Sequence, residues 1–196
     1  MQNGIDTRSG KNAEKIIEEY GRNFVIQEII KPCDELHKLS PNCLSTMRVM
    51  TYITDNGVHT CPIALRVGTG NSDIDNIHAG GLVVAVEDDG KLGKYAYRLG
   101  YGDKAERFTK HPDSGVIFEN YQLPMVPEIR NLAMKMHSRI PQCGILSWDF
   151  TIDSDNRVTL IELNTRDQSV WFPQMVSGKS LFGENTEYFL ERLKRG

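Results

Sequence analysis

An α+β fold, with a mostly antiparallel sheet flanked by helices, is what this 196-residue sequence predicts. Three observations carry the prediction. Apolar runs of strand length follow one another through turn residues across the first half of the chain. Segments with helical spacing lie before, between and after those runs rather than alternating with them. Finally, Trp148 to Asn164 reads as two strands around the turn residues Asp153-Ser154-Asp155-Asn156.

The elements follow in order. NAEKIIEEYGR (12–22) sets Ala13, Ile16, Ile17 and Tyr20 on one helical stripe. FVIQEII (24–30) reads as a strand, and a polar connection with two prolines comes next. STMRVMTYI, CPIALRV and GLVVAVED are strands, with Asp55-Asn56-Gly57 turning the first into the second. KLGKYAYRLG is a further strand, entered through Asp88-Asp89-Gly90, and Gly102 to Pro124 is a loop. VPEIRNLAMKMHSRI is a helix, since Pro127 suits a first turn and Ile129, Leu132, Ala133, Met136 and Ile140 form an apolar stripe. TEYFLERLKR closes the chain as a helix, and no repeat or low-complexity segment interrupts the series.

Composition narrows the classes of function. Hydrophobic residues at 39% and charged residues at 25% describe a globular protein of one domain, with room for two subdomains around a cleft. A net charge of −3 and a pI near 6.0 give no reason to expect nucleic acid or an anionic membrane as partner. No apolar stretch approaches the ~20 residues of a membrane span, and MQNGIDTRSGKNAEK lacks the apolar core of a secretory signal. Cys33, Cys43, Cys61 and Cys143 show no CxxC spacing, which reads as reduced thiols in a cytoplasmic protein.

Several motifs fail on inspection. SGKS (177–180) would need a glycine at 173 to be a phosphate loop, and Pro173 stands there. GTG (68–70) is followed by Asp73 where a dinucleotide fingerprint needs glycine. DSDN could open a calcium loop, but its sixth and twelfth positions are Val158 and Asn164.

Three constellations remain. In the hairpin, a turn centred between Ser154 and Asp155 makes residues whose numbers sum to 309 face each other, so Asp149 opposes Leu160 and Glu162 opposes Ser147. Asp149, Glu162 and Asn164 then share one face, and Trp148, Phe150, Ile152 and Ile161 share the other. A three- or five-residue turn would slip the pairing by one and separate Asp149 from Glu162. Two carboxylates and an amide suit Mg²⁺ carrying nucleotide phosphates, although a solvent-facing polar hairpin has the same pattern. In LRVGTGNSDIDNIHAGG (65–81), Arg66 points toward whatever Asn76, His78, Gly80 and Gly81 surround, and paired glycines expose backbone N–H groups to an anion. A glycine-rich surface loop is the competing reading there, and Arg48 could add a second guanidinium. In NGIDTRSGKNAEKI (3–16), Ser9 to Lys11 precede a helix and could lie over phosphates; a mobile terminus has the same composition.

Taken together, these stretches resemble the ATP-grasp superfamily of ATP-dependent carboxylate–amine ligases. Asp149 and Glu162 stand thirteen apart, and Glu162-Leu163-Asn164 reproduces the Glu-x-Asn ending of such magnesium sites. LR…DNIHAGG resembles the Arg…Asn-x-x-x-Gly-Gly element of glutathione synthetase and of ribosomal-protein glutamate ligase. TMRVMTYI, RVGTGNSDIDNIHAGG, GKLGKYAY, KHPDSGVIFE and GILSWDFTID together are most similar to the sugar-transfer-associated ATP-grasp branch.

The resemblance implies ATP and Mg²⁺ as cofactors, with Asp149, Glu162 and Asn164 on the metal. It places Gln27 and Glu28 at the adenine hinge with Ile30 beside the base, and Lys11 on the phosphate loop. Arg66, Asn76 and His78 would face the γ-phosphate or acyl phosphate, with Gly80-Gly81 lining the acceptor side. Arg48 joins them although Ser45 stands where the branch has Asn before Thr-x-Arg. Small-molecule carboxylate and amine substrates are implied, and the branch name adds a link to surface polysaccharide biosynthesis. Such enzymes carry a preceding domain and a lid strand whose lysine contacts the phosphates. Residues 1–30 therefore read as a remnant of the lid subdomain with the hinge, and residues 31–196 as the C-terminal core. On that reading the chain turns over Mg·ATP poorly, and an unpaired sheet edge invites a homodimer. A catalytically inactive nucleotide-binding or interaction module is the alternative.

Overall fold

The computed structural model describes residues 17–18, 21–22, 27–70, 80–98, 106–166 and 168–195. Eight strands form one antiparallel sheet: β1 (Thr46–Thr54), β2 (Gly57–Thr60), β3 (Ile63–Val67), β4 (Leu82–Val86), β5 (Leu92–Arg98), β6 (Glu106–Phe108), β7 (Ile145–Ile152) and β8 (Val158–Asn164). The order across it is β6-β5-β4-β3-β1-β7-β8, with β2 paired to the far end of β1. Four α-helices have both ends among the described residues: α1 (Asp34–Leu39), α2 (Val126–His137), α3 (Trp171–Ser177) and α4 (Thr186–Arg195); Ile17 and Glu18 are helical as well. An α+β class with a mostly antiparallel sheet is what the sequence predicts, and it is what the chain adopts.

β1 is the central strand, and TMRVMTYIT is buried on nearly every residue. Met47 and Val49 join a core with Leu65, Val84, Ala96, Trp148, Phe150 and Ile152 from neighbouring strands, closed by Leu36, Leu39, Val126, Ile129 and Ala133 from α1 and α2. The Ile129–Ile140 stripe expected for α2 meets this core: Ile129 and Ala133 are fully buried, while Leu132, Met136 and Ile140 pack at its margin. On the opposite face, Ala64 and Val83 pack under Phe172 of α3, and Met50, Tyr52 and Cys61 pack with Leu181. Burial pushes the Cys61 thiol up to about 12, so it stays protonated, and none of the four cysteines is in a disulfide.

Several expectations are corrected. Asp55-Asn56-Gly57 turns β1 into β2 rather than into CPIALRV, and the chain then steps to β3 on the same side of β1. Pro62 has no N–H for the ladder, so the strand expected over 61–67 begins at Ile63, after the Cys61 amide has bonded Met50 O at 2.8 Å. Residues 27–30, expected as the end of a strand, form no regular element; residues 23–26 lie outside the described residues. The 102–124 loop holds the short β6. The helices α1 and α3 were not expected. Each has six or seven residues, too short for a periodic signal, and Pro173 sits in the first turn of α3 where proline is tolerated. Ile161, expected in the core, is half-buried on β8, an edge strand.

The hairpin register differs from the expected one. The Asp153 amide donates to Arg157 O at 3.0 Å, and Asn156 adopts φ +57°, which makes a three-residue loop closed by a left-handed residue. Phe150 therefore faces Leu160 instead of Thr159, a slip of one. A bulge at Ile161 then adds a second slip, so Asp149 faces Glu162 and Ser147 faces Asn164. Two slips of one restore the parity, and the trio stays on one face.

Two predictions arise from this packing. Gly90 holds φ +90°, and a Cβ there would sit 2.6 Å from Leu123 O and 2.8 Å from Gln122 Nε2. Gly90→Ala is expected to lower the unfolding free energy by roughly 1–3 kcal/mol, from strained backbone and displaced carbonyl together; urea denaturation measures it, and an unchanged midpoint would contradict it.

The second concerns His137, which is fully buried. Its Nε2 lies 2.8 Å from Cys143 O, so that nitrogen donates, and Nδ1 accepts from Thr51 Oγ at 2.6 Å while Thr51 Oγ accepts from Trp148 Nε1 at 2.8 Å. Burial, partly offset by the Cys143 carbonyl, pulls the imidazole below its ordinary value of 6.5. Below that pH the unfolded chain takes up a proton that the folded chain refuses, so stability falls as pH drops below about 6.5 and is unaffected above it. Unfolding free energies at pH 7 and pH 5 are expected to show a smaller drop for His137→Asn than for the unaltered chain. Equal drops in both would assign the acid sensitivity elsewhere.

Candidate active site

β1, β7 and β8 lie side by side, and their registers put Arg48, Asp149 and Glu162 in one row across three strands. Alternation along β7 carries Trp148 and Phe150 into the helix-side core and leaves Asp149 on the opposite face. The next row on that face holds Met50, Ser147 and Asn164. From the other side of β1, Arg66 on β3 reaches across, its partner in register being Thr46.

Asp149 is the centre of the arrangement and is 0% exposed. Arg48 binds it in a two-pronged way, Nε to Oδ1 and Nη2 to Oδ2 at 3.0 Å. Arg66 Nη2 adds a bond to Oδ2 at 2.9 Å and also donates to Thr46 Oγ at 2.7 Å. Two guanidiniums thus converge on one carboxylate, and the planar fork of arginine suits this bidentate geometry. The Arg48 guanidinium lies over the Phe172 ring at 5.5 Å from its centre and donates to Gln168 O at 3.4 Å. Gln168 in turn accepts from Ser147 Oγ at 3.0 Å, so the segment after Asn164 is tied back onto the same face.

Glu162 is half-buried, and among the described residues its carboxylate has no ion-pair partner. Asn164 carries a side-chain nitrogen that is buried without a hydrogen-bond partner. A buried amide left unsatisfied is costly, and a ligand at this face would relieve it.

The donor set fits a hard cation. Asp149, Glu162 and Asn164 offer oxygen alone, which suits Mg²⁺ held by one or two carboxylates plus phosphates. Three N–H groups occupy three of the roughly four lone-pair positions on Asp149; one position on Oδ1 remains. Glu162 is the carboxylate least committed elsewhere. Among the described residues no group of three His, Cys, Asp or Glu side chains gathers; the third member of the expected set is an amide.

The other expected residues fall as follows. Gly80 holds φ +92° beside the start of β4, and its carbonyl accepts from Thr69 Oγ at 2.9 Å and Arg98 Nε at 3.1 Å. Gly81 stands two residues before Val83, the register partner of Arg66, so strand alternation assigns it to the Arg66 face. Gln27 and Glu28 are exposed and Ile30 half-buried, just ahead of Lys31, whose carbonyl accepts from Ser154 N at 2.8 Å. This stretch, expected as the adenine hinge, therefore leads into the turn end of the hairpin. Lys11, Asn76 and His78 lie outside the described residues. Lys179 of SGKS, discarded as a phosphate loop, pairs with Glu87 at 2.7 Å.

Sequence reasoning missed Thr46, Gln168 and Phe172. Thr46 could have been found, since it stands two residues from Arg48 in a strand and so shares its face. Gln168 and Phe172 carry no signal of their own.

A family model described as sugar-transfer-associated ATP-grasp matches residues 5–188. No curated protein and no solved structure matches the chain. Among the described residues no helix is long and apolar enough to cross a membrane. ATP-grasp proteins are ATP-binding and ligase-type, and the match extends over the sheet, both arginines, the hairpin trio and the glycine pair. The chain belongs to the sugar-transfer-associated ATP-grasp family.

Proposed function

We propose that this chain binds Mg·ATP on the Asp149 face and activates a substrate carboxylate as its acyl phosphate. An amine or another nucleophile then displaces phosphate. Residues 31–196 act as the core subdomain in this reading, with Gln27, Glu28 and Ile30 at the adenine. The observation that carries it is the convergence of Arg48 and Arg66 on Asp149, in one row with Glu162 and beside the unsatisfied amide of Asn164.

The chemistry follows from the charges. Phosphoryl transfer needs little covalent help and much neutralisation of charge at a fixed geometry. Asp149, Glu162 and Asn164 would hold magnesium, which when bound neutralises charge on the phosphates. Arg66 is held on two sides by Thr46 and Asp149, so its guanidinium is oriented before any ligand arrives. Arg48 is fixed more tightly, by Asp149, Gln168 and the face of Phe172. Preorganised cations of this kind stabilise charge that develops in the transition state without reorganising. Carboxylate and amine are small molecules in this reading, and the family's sugar-transfer description supports a link to polysaccharide assembly.

One observation favours the rival reading of a nucleotide-binding module without turnover: Asp149 is fully buried and committed to arginines on both oxygens. Phosphate release separates the two. ATP, magnesium and a panel of sugar acids and amino acids are incubated with the chain; carboxylate-dependent ADP formation supports a ligase, and saturable ATP binding with no phosphate release under any pairing supports the module.

A further inference from the structure

KHPDSG (110–115), which neither the metal trio nor the arginines use, lies against the stems of the glycine-rich segment between β3 and β4. His111 is 1% exposed. Its Nε2 donates to Gly68 O at 2.9 Å, and its Nδ1 accepts from the amides of Asp113 and Ser114, both at 3.2 Å. A carbonyl can only accept and an amide can only donate, so a neutral ring with its proton on Nε2 satisfies all three partners. Asp113 Oδ2 accepts the Gly70 amide at 2.6 Å. From the loop after α1, Ser40 Oγ donates to Gly68 O and Asn42 Nδ2 to Gly70 O, each at 3.3 Å. Ser114 Oγ donates to Leu39 O at 2.8 Å, tying the turn to α1.

These bonds share one feature: side chains from two distant stretches fasten the backbone of residues that have no side chain to pack. Gly68 follows Arg66 by two residues, and Val67 pairs with Leu82, so a fixed Gly68 also fixes where β4 begins. Thr69 Oγ then bonds Gly80 O and closes the two stems on each other. We propose that His111 and Asp113 are positioning residues that set Arg66 and Gly80-Gly81 against the phosphates of the nucleotide. This rests on the Mg·ATP reading above. Neither residue touches the nucleotide; each acts through backbone.

His111→Phe keeps an aromatic ring beside Phe118, 6.4 Å away, and removes both nitrogen contacts. Asp113 is exposed, so Asp113→Ala removes the Gly70 contact without threatening the core, and Asp113→Asn retains an acceptor oxygen. Steady-state ATP turnover is measured for each with its melting temperature. Misplacing a reacting group by about 1 Å costs up to roughly 10²-fold in rate. The expected result is a kcat lowered about tenfold in Asp113→Ala and up to about a hundredfold in His111→Phe, with KM for ATP nearly unchanged and partial rescue in Asp113→Asn. Unaltered kcat in both folded variants, beside an active unaltered chain, overturns this inference alone. If His111→Phe does not fold, the two Asp113 variants decide. An unaltered chain that neither binds Mg·ATP nor releases phosphate defeats the underlying reading, and this inference with it.

Discussion

Replacing Asp149 by alanine is expected to lower the unfolding free energy by about 3–5 kcal/mol, the usual cost of breaking a buried ion pair by removing one partner. The loss comes less from the bonds than from what remains. Arg48 is 7% exposed and would keep its charge beneath Phe172 with no carboxylate beside it. Arg66 would retain Thr46 and lose the Asp149 carboxylate. For a chain of this size each kcal/mol moves the melting temperature by roughly 2–4 °C, so a fall of roughly 6–20 °C is expected. Asp149→Asn keeps the shape and one acceptor oxygen and should recover part of it. A fall under about 1 kcal/mol in Asp149→Ala would mean that the pair behaves like a surface salt bridge.

Glu162→Gln is expected to do the reverse. Glu162 is half-buried, lies on an edge strand and has no ion-pair partner among the described residues, so its removal should change stability by no more than about 0.5 kcal/mol. Turnover of Mg·ATP should nevertheless fall by roughly 10²–10³-fold, the scale seen when one preorganised electrostatic contact to the reacting group is deleted. The two carboxylates face each other directly across β7 and β8 and still separate into different duties. On the proposed reading, Asp149 holds the arginines and the fold, whereas Glu162 serves the ligand. Melting curves and phosphate-release rates on both variants read out the difference. A Glu162→Gln chain with unaltered turnover would remove the hairpin from the chemistry.

Much of this was legible in the sequence, for identifiable reasons. α2 and α4 have enough apolar residues at one period to be read directly, and β1, β4 and β5 are runs of strand length bounded by turn residues. Pro62 could have signalled the break between β2 and β3, because a missing N–H cannot sit inside a ladder. The hairpin shows the limit more clearly. Asp153-Ser154-Asp155-Asn156 announces a turn but not its length, and nothing in Leu160-Ile161-Glu162 announces a bulge. The expected pairing of Asp149 with Leu160 was wrong, yet its partition of the faces survives for Asp149, Glu162 and Asn164, because turn and bulge cancel. Contacts across 101 and 83 residues, from Arg48 and Arg66 to Asp149, have no local signature at all. The resemblance brought these residues to one site, and only the registers of β1, β3 and β7 reveal that the arginines bind the aspartate itself.

Crystals soaked with Mn²⁺, standing in for Mg²⁺, and a non-hydrolysable ATP analogue would test the central claim most directly, through an anomalous difference map. The expected peak lies between Glu162 and Asn164, with Asp149 Oδ1 as the third oxygen and the γ-phosphate beside Arg66. A manganese peak away from this face, or an analogue bound elsewhere with no metal near Glu162, would contradict it.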